Sequence, residues 1–154
     1  MSETYLYAKQ VIVLRKDLNM RKGKMVAQGA HASMAVLLNN GKLMRHLWGE
    51  DNESSSEFVI PLSYDDSTGS GQCFSHDALI DWIEGAFTKI AVSVNSEQEL
   101  LDLHKAAKEA GLLCSLIRDS GKTEFGGVPT HTAIAIGPGW NDDIDKITGH
   151  LPLL

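Results

Sequence analysis

"LCSLIRDSGKTEFGGVPTHTAIAIG", Leu113 to Gly137, holds two apolar runs, 113–119 and 131–137, on either side of a glycine-rich stretch. No helical pattern intervenes, so these runs read as two strands joined without a crossover helix. A sheet that contains them is mixed rather than purely parallel. Upstream, "KQVIVLR" (9–15) is a continuous β-branched run bounded by charges, the pattern of a strand buried on both faces. "TKIAVSV" (88–94) supplies a further strand. Between these strands the periodicity turns helical. One helix begins within Met20–Gly23, after the turn "KDLNM", and stops at Asn39-Asn40-Gly41. Its Ala27, Gly29, Ala30 and Ala32 are small enough to let it lie close to a sheet. A short helix is expected over "HDALIDWIEGA" (76–86) and a long one over "NSEQELLDLHKAAKEAGL" (95–112). In the latter, Asn95 or Ser96 caps, Glu99 closes a capping box and Gly111 ends the helix. "GWNDDIDKITGHL" (139–151) gives the last helix, with acids in its first turn and Gly149 past its end. Strands alternating with helices predict a layered α/β domain.

The 154 residues suit one domain with a real core. An apolar fraction of 43% and a charged fraction of 22% belong to an ordinary globular chain. No apolar run reaches the ~20 residues of a bilayer span, and "MSETYLYAKQ" has neither the basic nor the apolar region of a secretory signal. Cys73 and Cys114 make no disulfide framework and have no metal-type spacing, so a cytoplasmic chain with reduced thiols is the expectation. Residues 50–77 are dominated by Ser, Asp, Glu and Gly and read as a long excursion, with a short strand or hairpin at "FVIPLSY" (58–64).

The net charge is −6, yet residues 1–24 carry six Lys/Arg against Glu3 and Asp17, a local balance of +4. Arg21, Lys22 and Lys24 stand at the start of the first helix, where the dipole already disfavours cations by roughly 0.3–1 kcal/mol each. Lys24, Gln28 and His31 follow at i, i+4 and i+7 and form one stripe. Such a stripe is simply the wet face of an amphipathic helix, or else, with the lysines and the free N–H groups of the helix start, an anion site.

After the third strand, Asp119-Ser120-Gly121 suits a tight turn. "GKT" (121–123) is no phosphate loop, because the glycine such a loop requires is replaced by Leu116 and no helix follows. The six histidines show no HxH or HxxxH spacing, and no GxSxG occurs, which argues against a metal centre and a serine triad.

"KQVIVLRKDLNMRKGKMVAQGAHA" (9–32) and "LLCSLIRDSGKTEFGGVPTHTAIAIGPGWNDDIDKITGHLPLL" (112–154) resemble the two ends of the type 2 peptidyl-tRNA hydrolases of archaea and eukaryotes. The family pattern is a strand, then D-L-x-M-x-K-G-K-x-A-A-Q-x-x-H-A, and later L-I-x-D-A-G-R-T, T-x-L-x-I-G-P and I-D-x-V-T-G-x-L. The likeness covers most of 8–40 and 79–154. It implies a three-layer α/β/α sandwich on a four-stranded mixed sheet. Three departures stand out. Lys122 replaces the family's Arg and loses its bidentate fork. Gly29-Ala30 precede His31, and the connection at about 45–77 is longer than usual.

The resemblance implies hydrolysis of the ester between a peptide and the 3′ end of tRNA, with no metal or organic cofactor. The matching positions are Lys24, Gln28 and His31, then Asp119, Lys122 and Thr123, then Thr132. Asp119 would orient or deprotonate water, with His31 as partner. Lys24 would bind phosphate or stabilise negative charge, and Gln28, Thr123 and Thr132 would position groups by hydrogen bonding. Arg15, Lys16, Arg21 and Lys22 are candidates for phosphate contact. A carboxylate of ordinary pKa, about 4, is a poor base at neutral pH, so Asp119 needs a raised pKa or a purely orienting role. The rival is a non-catalytic RNA- or protein-binding module on the same fold. The sequence leaves a homodimer open.

Overall fold

A computed structural model describes residues 5–48, 53–60 and 74–154. In chain order the elements are β1 (Ala8–Arg15), α1 (Lys22–Asn40), β2 (Lys42–Trp48), β3 (Glu53–Val59), α2 (Phe74–Glu84), β4 (Lys89–Val94), α3 (Glu97–Glu109), β5 (Cys114–Asp119), β6 (Thr130–Trp140) and α4 (Asn141–Thr148). The main sheet runs β4-β1-β6-β5. Its β1 and β4 are parallel, whereas β6 is antiparallel to both β1 and β5. The helix-free link between β5 and β6 thus makes the sheet mixed, as expected.

Strand alternation sends β1 and β6 residues to opposite layers. Val11, Val13, Ile134 and Ile136 meet Leu100 and Ala107 of α3 and Ile144 of α4. On the other face Leu14, Ala133 and Ala135 pack with Ala32 and Val36 of α1. Ala78 and Trp82 of α2 join that same side with Leu37 and Trp140. The result is the three-layer α/β/α sandwich, with β1 buried along nearly its whole length. Small residues line the helix–sheet contact from both directions. At Gly29 an added Cβ would meet Ile12 at an ordinary 3.6 Å, so closeness here comes from the alanines of β6 as much as from glycine.

Hydrogen bonds from three buried side chains fix α1 on the sheet. The Gln10 amide donates to the Ser33 and Gly137 carbonyls at 3.4 and 3.1 Å and accepts from the Ser33 hydroxyl. Ser115 donates to the Ala32 carbonyl at 2.7 Å. These polar groups have partners, so their burial carries no orphan penalty. At α3, Ser96 accepts from the Glu99 N–H at 3.1 Å, and the Glu99 carboxylate accepts from the Asn95 N–H at 2.9 Å.

The stretch after α1 departs from expectation. Residues 42–48 and 53–59 form an antiparallel two-stranded sheet separate from the main one, earlier in the chain than the expected hairpin. The serines of β3 are poor strand formers, so cross-strand pairing with β2 imposes the conformation. Only the first residues of "FVIPLSY" belong to it, and 61–73 lie outside the described residues. Leu43, Leu47 and Trp48 of this hairpin are exposed. No helix of the described residues is long and apolar enough to cross a membrane.

Candidate active site

Two segments remote in sequence meet at one end of the sheet. Lys24 and Gln28, one turn apart on α1, reach Asp119 at the end of β5. The Lys24 ammonium donates to Asp119 Oδ1 at 2.7 Å and to the Thr123 hydroxyl at 3.1 Å. The Gln28 amide donates to the same Asp119 oxygen at 3.2 Å. The other oxygen, Oδ2, accepts the Gly121 N–H at 2.8 Å. Behind Gln28, the wholly buried Thr132 hydroxyl donates to the amide oxygen. An ionised carboxylate only accepts, so the Gln28 NH₂ must face Asp119 and the amide oxygen must face Thr132. Donation therefore runs from Thr132 through Gln28 to Asp119, where it meets the donation from Lys24, and Lys24 also donates outward to Thr123.

Asp119-Ser120-Gly121 forms the tight turn expected of it, with the carboxylate folded back on the glycine N–H. Gly121 has φ +77°, and a Cβ there would lie 2.1 Å from the Val128 carbonyl oxygen. Only glycine allows this loop to close. The Lys24 ammonium also lies 5.5 Å from the Phe125 ring centroid, within cation–π range.

Both partners of the Lys24–Asp119 pair are largely shielded, each side chain being 13% exposed. The Lys24 hydrogen bond holds the Asp119 carboxyl below the usual carboxylate range, and the Gly121 N–H, the Lys24 charge and Gln28 add to it against the opposing effect of burial. An acid held ionised in this way is a weak proton acceptor at neutral pH. The geometry suits Asp119 to orientation rather than to base catalysis.

The other expected residues divide sharply. Lys16, Lys22 and Lys122 are exposed around this end of the molecule. Arg21 is exposed too, but its Nε pairs with Glu124 at 2.9 Å. It stands at the N-cap of α1, which has no side-chain cap and no acid in its first turn. The first N–H groups of the helix thus keep their free donors toward the basic edge. His31 is exposed and its side chain makes no hydrogen bond among the described residues, so it does not join Asp119 in the ground state.

Arg15 corrects the expectation of a phosphate contact. It is buried, with its guanidinium on both Asp17 oxygens at 3.2 and 2.6 Å and on the His131 carbonyl at 3.1 Å. Its donors face the protein, and the reason is local: Asp17, two residues on, returns toward the same side. The Gly121 N–H and the Phe125 ring are contributions not foreseen from the sequence. The spacing Asp-x-Gly signals the first, whereas nothing local signals the second.

Among the described residues, no three His, Cys, Asp or Glu side chains converge where a metal ion could sit. The model of the family described as Peptidyl-tRNA hydrolase PTH2 matches residues 8–154. A peptidyl-tRNA hydrolase of Methanocaldococcus jannaschii is 39% identical over 146 residues, spanning 95% of this chain and 99% of the relative. Those of Methanothermobacter thermautotrophicus and Methanococcus vannielii are 37% and 36% identical, spanning 95% and 94% of this chain and 99% and 97% of the relatives. With the sandwich, the blocks around Lys24 and Asp119 and these relatives together, the chain belongs to the PTH2 family of peptidyl-tRNA hydrolases.

Proposed function

We propose that this protein hydrolyses the ester joining a peptide to the 3′ end of tRNA, recycling peptidyl-tRNA, and that the row from Thr132 to Thr123 handles the reacting ester. The observation that carries this reading is the convergence of Lys24, Gln28 and Thr123 with Asp119, from segments 91 to 99 residues apart, in a member of this family. A cytoplasmic location is part of this reading, supported by a substrate that is a product of translation.

Hydrolysis requires a water oxygen to bond to the ester carbonyl carbon and the bond to the tRNA 3′ oxygen to break. Asp119, held ionised, orients Lys24 and the water. Lys24 gives two of its three N–H bonds to Asp119 and Thr123, which leaves one for the developing oxyanion or a nearby phosphate oxygen. Gln28 and Thr123 fix the ester by hydrogen bonding, and Thr132 fixes Gln28. His31, one turn beyond Gln28 and with its imidazole free of hydrogen bonds among the described residues, takes the proton of the water and returns it to the departing 3′ oxygen. Lys16, Arg21, Lys22 and Lys122 line the approach and hold the acceptor-end phosphates with the open start of α1.

The test is a release assay on peptidyl-tRNA beside aminoacyl-tRNA. Release from the peptidyl form alone is the expected outcome. Tight binding of both RNAs without release would replace the hydrolase with a binding module.

A further inference from the structure

The strand that presents Thr132 is irregular at that residue. Ile117 lies opposite Ala133, but Arg118 lies opposite His131, so Thr132 is the extra residue of a bulge in the β5–β6 ladder. On the other side of β6, the β1 ladder ends with Leu14 opposite Ala133. Thr132 therefore has no place in either register, and bulges of this kind re-aim one side chain. What holds the bulge is the residue that follows Leu14. The Arg15 guanidinium, 10% exposed, donates to the His131 carbonyl while gripping both oxygens of Asp17. From the far side Glu97 lies 3.9 Å from the same guanidinium and 2.7 Å from the His131 imidazole.

The His131 carbonyl and the Thr132 N–H belong to one rigid peptide plane. Fixing that carbonyl sets the peptide plane from which the Thr132 Cα departs and so narrows the directions open to its Cβ, and a β-branched side chain has little freedom to swing its hydroxyl away. We propose that Arg15 is a positioning residue for the reaction: it pins the His131 carbonyl so that the bulge aims Thr132 at Gln28, and through Gln28 it orients Asp119. The task needs an arginine, because only a planar fork serves a carboxylate and a carbonyl at once.

This assignment rests on the proposed activity, and its test separates the two. Peptide release is measured for Arg15→Met, Thr132→Val and the double variant. Arg15→Met is expected to lower kcat about 10- to 100-fold, the scale of a small misplacement. KM and its salt dependence stay those of the unaltered protein, and the double variant is no slower than Thr132→Val alone. A general structural defect would multiply the two losses. A rise in KM with a shallower salt slope would return Arg15 to phosphate binding. Multiplied losses, a changed salt slope or an unchanged kcat each overturn the proposal. Should Arg15→Met not fold, Arg15→Lys, which keeps the charge without the fork, carries the same cycle with the same outcomes. The NMR signal of the Gln28 side-chain amide reports the geometry without any turnover. It is expected to move in the same direction in Arg15→Met and Thr132→Val. If the unaltered protein releases no peptide, the proposed activity fails while the amide signal still decides the role of Arg15, and an unmoved amide refutes it.

Discussion

Arg15 and Lys24 share one basic stretch with Lys16, Arg21 and Lys22, yet the fold treats the two groups in opposite ways. Arg15 and Lys24 are shielded, and their donors go to Asp17, the His131 carbonyl, Asp119 and Thr123. The Lys16 and Lys22 side chains are exposed and make no hydrogen bond among the described residues, and the Lys122 side chain from the far loop is like them. Arg21 is intermediate, 82% exposed in its side chain but paired with Glu124. The difference is one of screening. A cation held by protein acceptors in a shielded place has a fixed direction and acts strongly on a nearby charge, whereas exposed cations attract a polyanion without orienting it. On the proposed reading, the inner group serves turnover and the outer group capture.

Four substitutions, at three scales of effect, sharpen or break that division. The largest effect is expected from Lys24→Met, which removes the fixed ammonium and the main donor of Asp119: kcat should fall by about 10²–10³, the range for losing one oxyanion donor, with little change in KM. Steady-state release at one salt concentration checks it. An intermediate effect is expected from Lys22→Ala and Lys122→Ala. Each should raise KM, lower the slope of log affinity against log salt by about 1, and leave kcat alone. The smallest concerns stability. Because the folded pKa of Asp119 is depressed, its contribution is complete above the unfolded carboxylate value, about 3.9, and is lost as pH falls through the folded value. The stability advantage of the unaltered protein over Asp119→Asn should therefore hold from pH 7 to about 5 and shrink below about 4. Urea denaturation across that range measures it.

Much of the molecule was legible before its structure. The two strands of 113–137 dictated a mixed sheet because no helix separates them, and Ser96 caps the start of α3 while Gly111, at φ +72°, follows its C-cap Ala110. The stripe Lys24–Gln28 was visible at helical spacing, and the blocks around it pointed to the family. Three things were hidden, each for a physical reason. The hairpin of 42–59 depends on pairing between segments of weak strand propensity, which local composition does not encode. Arg15 looked like an external cation because nothing in a one-dimensional reading shows that Asp17 and the end of β6 close over it. Gln10, Ser33 and Ser115 interrupt otherwise apolar patterns, and only the packed helix shows that they bond across it to set its position.

The division between inner and outer cations is tested most directly by single-turnover peptide release at saturating enzyme, in Lys24→Met and Lys22→Ala side by side. With binding saturated, Lys22→Ala should release peptide at the rate of the unaltered protein, and Lys24→Met should remain slower by two orders of magnitude or more. Equal rates for the two variants, or recovery of Lys24→Met once enzyme is in excess, would mean that Lys24 is only one more hand on the phosphate backbone.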